Sequence, residues 1–186
     1  MKIGKGEKVR PFEMAHINFH TARLEDMKSW YITVLEAKAV YADGNYAFLS
    51  YDEDFHRIAL IRDSRLGDKS GLEASADHAA FAYASLEELV YTFERLRNLN
   101  ILPDRVINHG PTISLYYLDP DGNHLELQVN RFGSMDEIKE FLKKGTFAVD
   151  PIGVEFNIDL FIEKLQSGVS TNELFRTTSA GELSSL

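Results

Sequence analysis

The sequence predicts a mixed α+β fold that consists of two tandem βαβββ modules followed by a helical extension. The first observation is an internal repeat, in which AHINFHTARLEDM at 15–27 and DHAAFAYASLEEL at 77–89 share five identical residues in thirteen positions. The second is that each copy begins with alternating, strand-like residues and passes into apolar residues at helical spacing. The third is that the alternation ends near residue 131, after which the pattern is helical.

These observations divide the chain into four parts. They are module one at 12–63, a linker at 64–76, module two at 77–131 and a C-terminal helical extension at 132–186. The linker is polar and contains Gly and Ser, a composition that is typical of surface connections.

The helix of each module is predicted from apolar residues that recur every three or four positions. In module one these residues are Leu24, Met27, Tyr31, Val34 and Leu35, and in module two they are Leu86, Leu89, Val90, Phe93 and Leu96. Ser85 and Glu88 stand where a capping box would start the second helix.

Three short strands are predicted after each helix, separated by turn residues. They lie at 38–42, 46–52 and 57–63 in module one, and at 104–108, 113–118 and 124–130 in module two. Tight turns are predicted at Asp43-Gly44-Asn45 and at Asp119-Pro120-Asp121-Gly122-Asn123.

The extension is predicted to contain short helices and a chain break. An amphipathic helix at 134–144 begins at Ser134, and Asp150-Pro151 then interrupts the pattern. Further helices are predicted at 157–167, capped by Asn157, and at 172–177. The final TSAGELSSL is expected to fray.

The composition excludes several classes of function. The chain has 186 residues, 29 of them Asp or Glu and 20 Lys or Arg, a formal net charge of −9 and no cysteine. Disulfide frameworks, thiolate metal sites and cysteine nucleophiles are therefore excluded. The acidic balance, without a Lys/Arg cluster, predicts no binding to nucleic acid or to an anionic membrane. No stretch resembles a signal peptide or reaches the ~20 apolar residues of a membrane span, so a cytoplasmic location is expected.

Three side chains in the repeat form a candidate metal site. The first and last strands of each module are expected to lie centrally in a curled mixed sheet and to point alternate side chains into its concave face. His16 and His78 occupy equivalent positions on the first strands, and Glu126 lies on the last strand of module two. Two imidazoles and one carboxylate form the facial triad that holds Fe(II) with open coordination positions, and Mn(II) accepts the same ligands.

The repeat also predicts the number of ligands. Alignment of the final strands, RIALIRD at 57–63 with HLELQVN at 124–130, places Ala59 opposite Glu126. Because alanine has no donor atom, a symmetric fourth ligand is missing. The sequence therefore predicts a site with three protein ligands.

Three stretches carry a resemblance to a known family. They are AHINFHTARLEDMKSWY at 15–31, DHAAFAYASLEEL at 77–89 and SLYYLDPDGNHLEL at 114–127. They resemble the vicinal oxygen chelate superfamily, which includes glyoxalases, bleomycin resistance proteins and dioxygenases. Within it they resemble the one-domain type I extradiol dioxygenases, which cleave catechols and biphenyl-2,3-diol. VDPIGVEFNIDLFIEKLQSG at 149–168 also resembles a C-terminal segment of some one-domain members.

The resemblance implies an oxidoreductase that opens a catechol-type aromatic ring with O2 at a single Fe(II) or Mn(II). Its small-molecule partners would be an aromatic diol and O2, and the expected assembly is a homo-oligomer such as a dimer. As the resemblance implies it, the metal ligands are His16, His78 and Glu126, and the catalytic residues are His56, Tyr116 and His109. His56 would face the oxygen site, and Tyr116 and His109 would contact the substrate hydroxyl.

Two other functions remain open at this stage. One is a metal-dependent glyoxalase-like isomerase, lyase or thiol transferase of the same fold, which usually needs the fourth ligand that Ala59 does not supply. The other is a non-catalytic small-molecule binding or resistance protein, which commonly lacks the triad. The extension is expected to serve as packing or as a dimer surface, with a substrate lid as the alternative.

Overall fold

The structure is a computed structural model that describes residues 10–67, 76–143 and 152–178. The described residues fall into two compact units, one within Met1–Asp68 and one within Lys69–Leu186. Each unit is described by itself. Residues 68–75 of the linker predicted at 64–76, the break at Asp150-Pro151 and the chain after Thr178 lie outside the described residues.

The first unit is one βαβββ module. Its elements are β1 (Ile17–Thr21), α1 (Leu24–Leu35), β2 (Lys38–Ala42), β3 (Tyr46–Ser50) and β4 (Ile58–Arg62). The four strands form a sheet in the order β1-β4-β3-β2, in which β1 and β4 are parallel and the other pairs are antiparallel. The apolar face of α1 packs on β3 and β4 and closes the core of this unit. The residues buried in this core include Leu24, Met27, Tyr31, Val34, Leu49, Ile58 and Leu60.

The second unit repeats the module and adds the extension. The module contains β5 (His78–Tyr83), α2 (Leu86–Asn98), β6 (Arg105–Asn108), β7 (Thr112–Leu118) and β8 (His124–Asn130). The extension contains α3 (Met135–Lys143), β9 (Val154–Glu155), α4 (Ile158–Gln166) and α5 (Thr171–Thr178). The sheet order is β5-β8-β7-β6-β9, so the short strand of the extension continues the sheet of the module. All five apolar residues predicted for α2 are buried.

The strand registers confirm the alignment of the two modules. Glu126 on β8 lies between Ala80 of β5 and Tyr116 of β7. Ala59 on β4 lies in the same way between Asn18 of β1 and Phe48 of β3. The second module therefore carries a carboxylate and a phenol where the first carries a methyl group and an unsubstituted phenyl ring.

The predicted α+β fold class is confirmed, but one detail of the sheets is wrong. In its own sheet, β1 lies at the edge beside β4, and β5 lies at the edge beside β8, rather than at the centre. The reason is connectivity: the crossover helix places the first strand parallel to the last, and the antiparallel hairpins extend the sheet only on the far side.

The helix caps and turns form mostly as predicted. Ser85 Oγ accepts the N–H of Glu88 at 3.3 Å, while the Glu88 carboxylate accepts the N–H of Ala84 rather than that of Ser85. At α3 the Glu137 carboxylate accepts the N–H groups of Gly133 and Ser134. β9 was not predicted, because two residues are too few to show a period. No described helix has the length and apolar character needed to cross a membrane.

Candidate active site

Four of the six predicted site residues lie together in the second unit. The register of β5, β7 and β8 brings His78, Tyr116 and Glu126 side by side. His78 Nε2 lies 2.9 Å from Glu126 Oε2, and the rings of His78 and Tyr116 meet edge to face with centroids 5.4 Å apart. Tyr116 and Glu126 are each only 5% exposed, so their hydrogen-bond partners must come mainly from each other and from neighbouring side chains.

His109 completes this group from the loop after β6. Its Nε2 lies 3.0 Å from the Tyr116 hydroxyl, and its Nδ1 lies 2.5 Å from the carbonyl oxygen of Ile152. A carbonyl oxygen only accepts hydrogen bonds, so Nδ1 carries a proton. In the neutral ring Nε2 is then an acceptor that faces the Tyr116 hydroxyl. That hydroxyl has a single proton, for which His109 Nε2 and the Glu126 carboxylate are alternative acceptors.

The environment keeps the Tyr116 phenol protonated. Burial, the charge of Glu126 and the hydrogen bond to Glu126 together raise the pKa of Tyr116 to about 12. The Arg105 guanidinium, 4.8 Å from the centre of the tyrosine ring, acts in the opposite direction. At neutral pH Tyr116 is therefore a hydrogen-bond donor rather than a phenolate.

The outer nitrogen of His78 has its own carboxylate partner. His78 Nδ1 lies 2.7 Å from Asp77 Oδ2, and this hydrogen bond lowers the pKa of Asp77. A carboxylate on one ring nitrogen is the usual companion of a metal-binding histidine, because it fixes the tautomer that presents the other nitrogen to the metal. Here that other nitrogen is Nε2, which faces Glu126.

The other two predicted residues, His16 and His56, lie together in the first unit. His16, predicted on the first strand, immediately precedes β1, and His56 lies two residues before β4. Their ring centroids are 4.5 Å apart. Burial lowers the pKa of His56, and the nearby charge of a protonated His16 lowers it further. His56 Nδ1 is buried and has no hydrogen-bond partner among the described residues. The two histidines line a small cavity of about 170 Å³ with Glu13, Ala15, Asp54 and Phe55.

Arg57 fastens the two segments that carry these histidines. Its Nε bonds to Asp52 at 2.9 Å, and the guanidinium also pairs with Glu13 and Asp54. A further guanidinium nitrogen donates to the carbonyl oxygens of Met14 and Ala15, at 3.3 and 3.2 Å. The Arg57 side chain is 15% exposed, so these bonds form in partly desolvated surroundings. They connect the residues just before His16 to the residue just after His56.

The predicted metal ligands come from both units. His78 and Glu126 converge in the second unit, and His16 belongs to the first. Among the described residues of either unit, no group of three or more His, Cys, Asp or Glu side chains is placed to hold a metal ion. The three-ligand set therefore remains a prediction, of which the second unit shows the pair His78 and Glu126.

Sequence reasoning missed several residues that shape the site. Nothing in the sequence pointed to the role of Arg57, because a single arginine is not distinctive in a chain with many charged residues. Asn108 and Gly153 were missed because their contacts join segments that are distant in sequence. The only hint was the position of Gly153 just after the Asp150-Pro151 break, where glycine often marks a special backbone conformation.

The fold and the site together define a class of protein: tandem βαβββ modules, the second of which brings histidine, tyrosine and glutamate side chains together on its sheet. Comparison with known proteins agrees. Residues 13–127 match the Glyoxalase/Bleomycin resistance protein/Dioxygenase superfamily, and the chain belongs to this superfamily.

Two relatives and one solved structure show how far the similarity extends. The chain is 35% identical to biphenyl-2,3-diol 1,2-dioxygenase 2 of Rhodococcus globerulus over 163 residues, which cover 87% of this chain and 86% of the relative. It is 36% identical to biphenyl-2,3-diol 1,2-dioxygenase 3 of the same organism, with the same coverage. A glyoxylase/bleomycin resistance protein/dioxygenase domain from Frankia sp. EAN1pec superimposes with a TM-score of 0.56 at 19% identity, covering 69% of this chain and 99% of that one. The last comparison supports the fold alone.

Proposed function

We propose that this protein is an extradiol dioxygenase that opens a catechol-type ring with O2 at one Fe(II). The observation that carries the proposal is the connected series His78, Glu126, Tyr116 and His109 in the second unit, with 2.9 and 3.0 Å contacts at its two ends. Two relatives named biphenyl-2,3-diol 1,2-dioxygenases, at 35% and 36% identity over 87% of the chain, support the same reaction class.

The residues present fit the metal that this reaction needs. His78 Nε2 and a Glu126 oxygen are nitrogen and oxygen donors of the type that Fe(II) and Mn(II) accept, and we propose His16 as the third ligand. Fe(II), when bound, supplies open positions at which the diol and O2 react together. Asp77 would hold His78 in the ligating tautomer, because it already occupies the outer ring nitrogen.

Tyr116 and His109 are proposed to bind and orient the diol. Tyr116 is a neutral donor at neutral pH, since the pKa of its phenol is raised to about 12. His109 Nε2 is a proton acceptor at the same place, because its Nδ1 donates to the Ile152 carbonyl. A substrate hydroxyl that enters between them could therefore give its proton to His109 and accept a hydrogen bond from Tyr116.

His56 is proposed to handle the proton on the oxygen side of the reaction. Its ring lies 4.5 Å from that of His16, which is one of the proposed ligands. It would donate a proton as the O–O bond breaks, a task suited to imidazole. Both atoms of O2 would appear in a muconic-semialdehyde-type product.

We also propose a homodimer, which sedimentation velocity would test.

One experiment tests this function directly. The protein is loaded with Fe(II) without oxygen, mixed with biphenyl-2,3-diol and a panel of simple catechols, and exposed to air. We expect a yellow ring-fission product and equimolar uptake of O2, both abolished in His78→Ala and Glu126→Ala. His20→Ala is the matched control, because His20 is an exposed histidine of β1 outside the proposed ligand set. Absence of turnover on every diol, or equal turnover in the ligand variants, would contradict the proposal.

A further inference from the structure

The C-terminal extension makes direct contact with the loop that carries His109. The carbonyl oxygen of Ile152 accepts from His109 Nδ1 at 2.5 Å. Next to this bond, β9 pairs with the end of β6, with Val154 opposite Asn108. The extension is therefore the source of the partner that determines which nitrogen of His109 is protonated.

Gly153 allows this approach, and a larger residue would prevent it. Its φ is +93°, a conformation that residues with a side chain rarely adopt. A Cβ atom at this position would lie 2.3 Å from the Asn108 carbonyl oxygen and 2.7 Å from His109 Cα. Both neighbours are backbone atoms, so neither could rotate away. The extension can reach the His109 loop only because residue 153 is glycine.

Asn108 provides a second attachment of the same loop to the extension. Its side chain is 1% exposed and donates from Nδ2 to the carbonyl oxygen of Phe175 on α5 at 2.8 Å. Its Oδ1 accepts the N–H of Gly110 at 2.7 Å. One buried amide thus binds α5 on one side and the residue just after His109 on the other, and the loop is held from two directions.

We propose that the extension is a positioning element of the active site, which fixes His109 as the Nδ1–H tautomer with Nε2 directed at the Tyr116 hydroxyl. Gly153 of the extension and Asn108 of β6 are the positioning residues, and neither needs to touch substrate. The catalytic meaning rests on the proposed function, since a fixed acceptor nitrogen matters only if a substrate proton is transferred there. The tautomer itself does not depend on that reaction.

The first test measures the tautomer in the unmodified, metal-free protein. Long-range ¹⁵N–¹H correlation spectra identify which ring nitrogen is protonated, and His109→Gln assigns the signals. The spectra are taken near pH 8.5, about two units above the ordinary imidazole pKa. We expect His109 as the Nδ1–H tautomer. A predominant Nε2–H form would overturn the proposal, whatever the protein catalyses.

The second test compares Gly153→Ala with Gly168→Ala. Both glycines belong to the extension, with φ of +93° and +90°, so alanine introduces similar backbone strain at each. Only Gly153 has backbone atoms in the space of the new Cβ, because Gly168 has nothing within 4 Å. We expect Gly153→Ala to mix the His109 tautomers and to lower kcat by about 10²-fold, the scale of a misplaced catalytic group. Gly168→Ala should keep the wild-type tautomer and kcat.

Unchanged tautomer and kcat in Gly153→Ala would overturn the proposal. If that variant does not fold, Asn108→Asp decides the matter, because it keeps the shape of the side chain but removes the donor to Phe175. It should then show the same tautomer mixing, and a wild-type tautomer in it would count against the proposal. If the wild-type protein cleaves no diol, the proposed function fails, whereas the spectra still report whether the extension positions His109.

Discussion

Tyr116 and Tyr117 are neighbours on β7 whose hydroxyl groups have opposite surroundings. Both side chains are buried, but alternation along the strand sends them to opposite faces of the sheet. The Tyr116 hydroxyl faces two hydrogen-bond acceptors, His109 Nε2 and the Glu126 carboxylate. The Tyr117 hydroxyl has no hydrogen-bond partner among the described residues. Of these two adjacent tyrosines, Tyr116 presents its hydroxyl to the proposed site, whereas the Tyr117 side chain fills the core.

Removal of each hydroxyl should therefore have a different effect. We expect Tyr116→Phe to lower kcat/KM by about 10²-fold, because the hydroxyl that we propose to bind the substrate and assist its deprotonation is lost. Tyr117→Phe should leave kcat/KM unchanged and keep or increase the free energy of unfolding by about 1 kcal/mol, because an unpartnered buried hydroxyl is removed. Steady-state kinetics and urea unfolding measure the two quantities. Equal losses of kcat/KM in both variants would contradict this assignment.

Some site residues could be identified from the sequence because they belong to a repeat or a motif. His16 and His78 occupy equivalent positions of the internal repeat, and Glu126 lies in the motif SLYYLDPDGNHLEL at 114–127. Asn108 and Gly153 had no such signal, because their roles arise from contacts between β6 and the extension. A hydrogen bond such as that from Asn108 to Phe175, across 67 positions, leaves no local trace in the sequence.

The turn between β7 and β8 determines how Tyr116 and Glu126 face each other. Asp119 Oδ1 accepts the N–H groups of Asp121 and Asn123 at 3.0 and 2.8 Å, and its Oδ2 accepts from the Asn123 side chain. Asp119 is 5% exposed. A slip of one residue in this hairpin would turn Glu126 to the opposite face of the sheet. The first module has a related turn at Asp43, which is exposed.

The two turns should differ in their contribution to stability. Asp119→Ala is expected to lower the free energy of unfolding by about 1–3 kcal/mol, because it leaves half-buried N–H groups without their acceptor. Asp43→Ala should lower it by less, because water replaces the lost acceptor at an exposed turn. Urea unfolding of both variants gives the comparison. A larger loss for Asp43→Ala would show that burial does not control the strength of these turns.

Elements were predictable where their periodicity was long enough. α1, α2 and the strands of both modules follow apolar patterns that the repeat supplied twice, and the extension helices follow caps at Ser134 and Asn157. β9 has two residues, and its pairing with β6 depends on the left-handed backbone at Gly153. Its formation is decided by tertiary packing rather than by local propensity.

At the scale of the whole molecule, the two units share the βαβββ fold but differ in the polar side chains that they carry at equivalent positions. The second unit keeps Glu126 and Tyr116, whereas the first has Ala59 and Phe48 at the equivalent places. The first unit instead brings together His16 and His56. The proposed ligand set takes His16 from the first unit and His78 and Glu126 from the second.

Metal-dependent stability tests this division. A metal at about 100 times its Kd stabilises a protein by about 2.7 kcal/mol, which for a chain of this size raises Tm by about 5–10 °C. We expect this shift with anaerobic Fe(II) or with Mn(II), and its loss in both His16→Ala and Glu126→Ala, although one residue belongs to each unit. His20→Ala should keep the full shift. Retention of the shift in His16→Ala alone would mean that the second unit binds the metal by itself, through His78, Glu126 and a ligand that the sequence did not reveal.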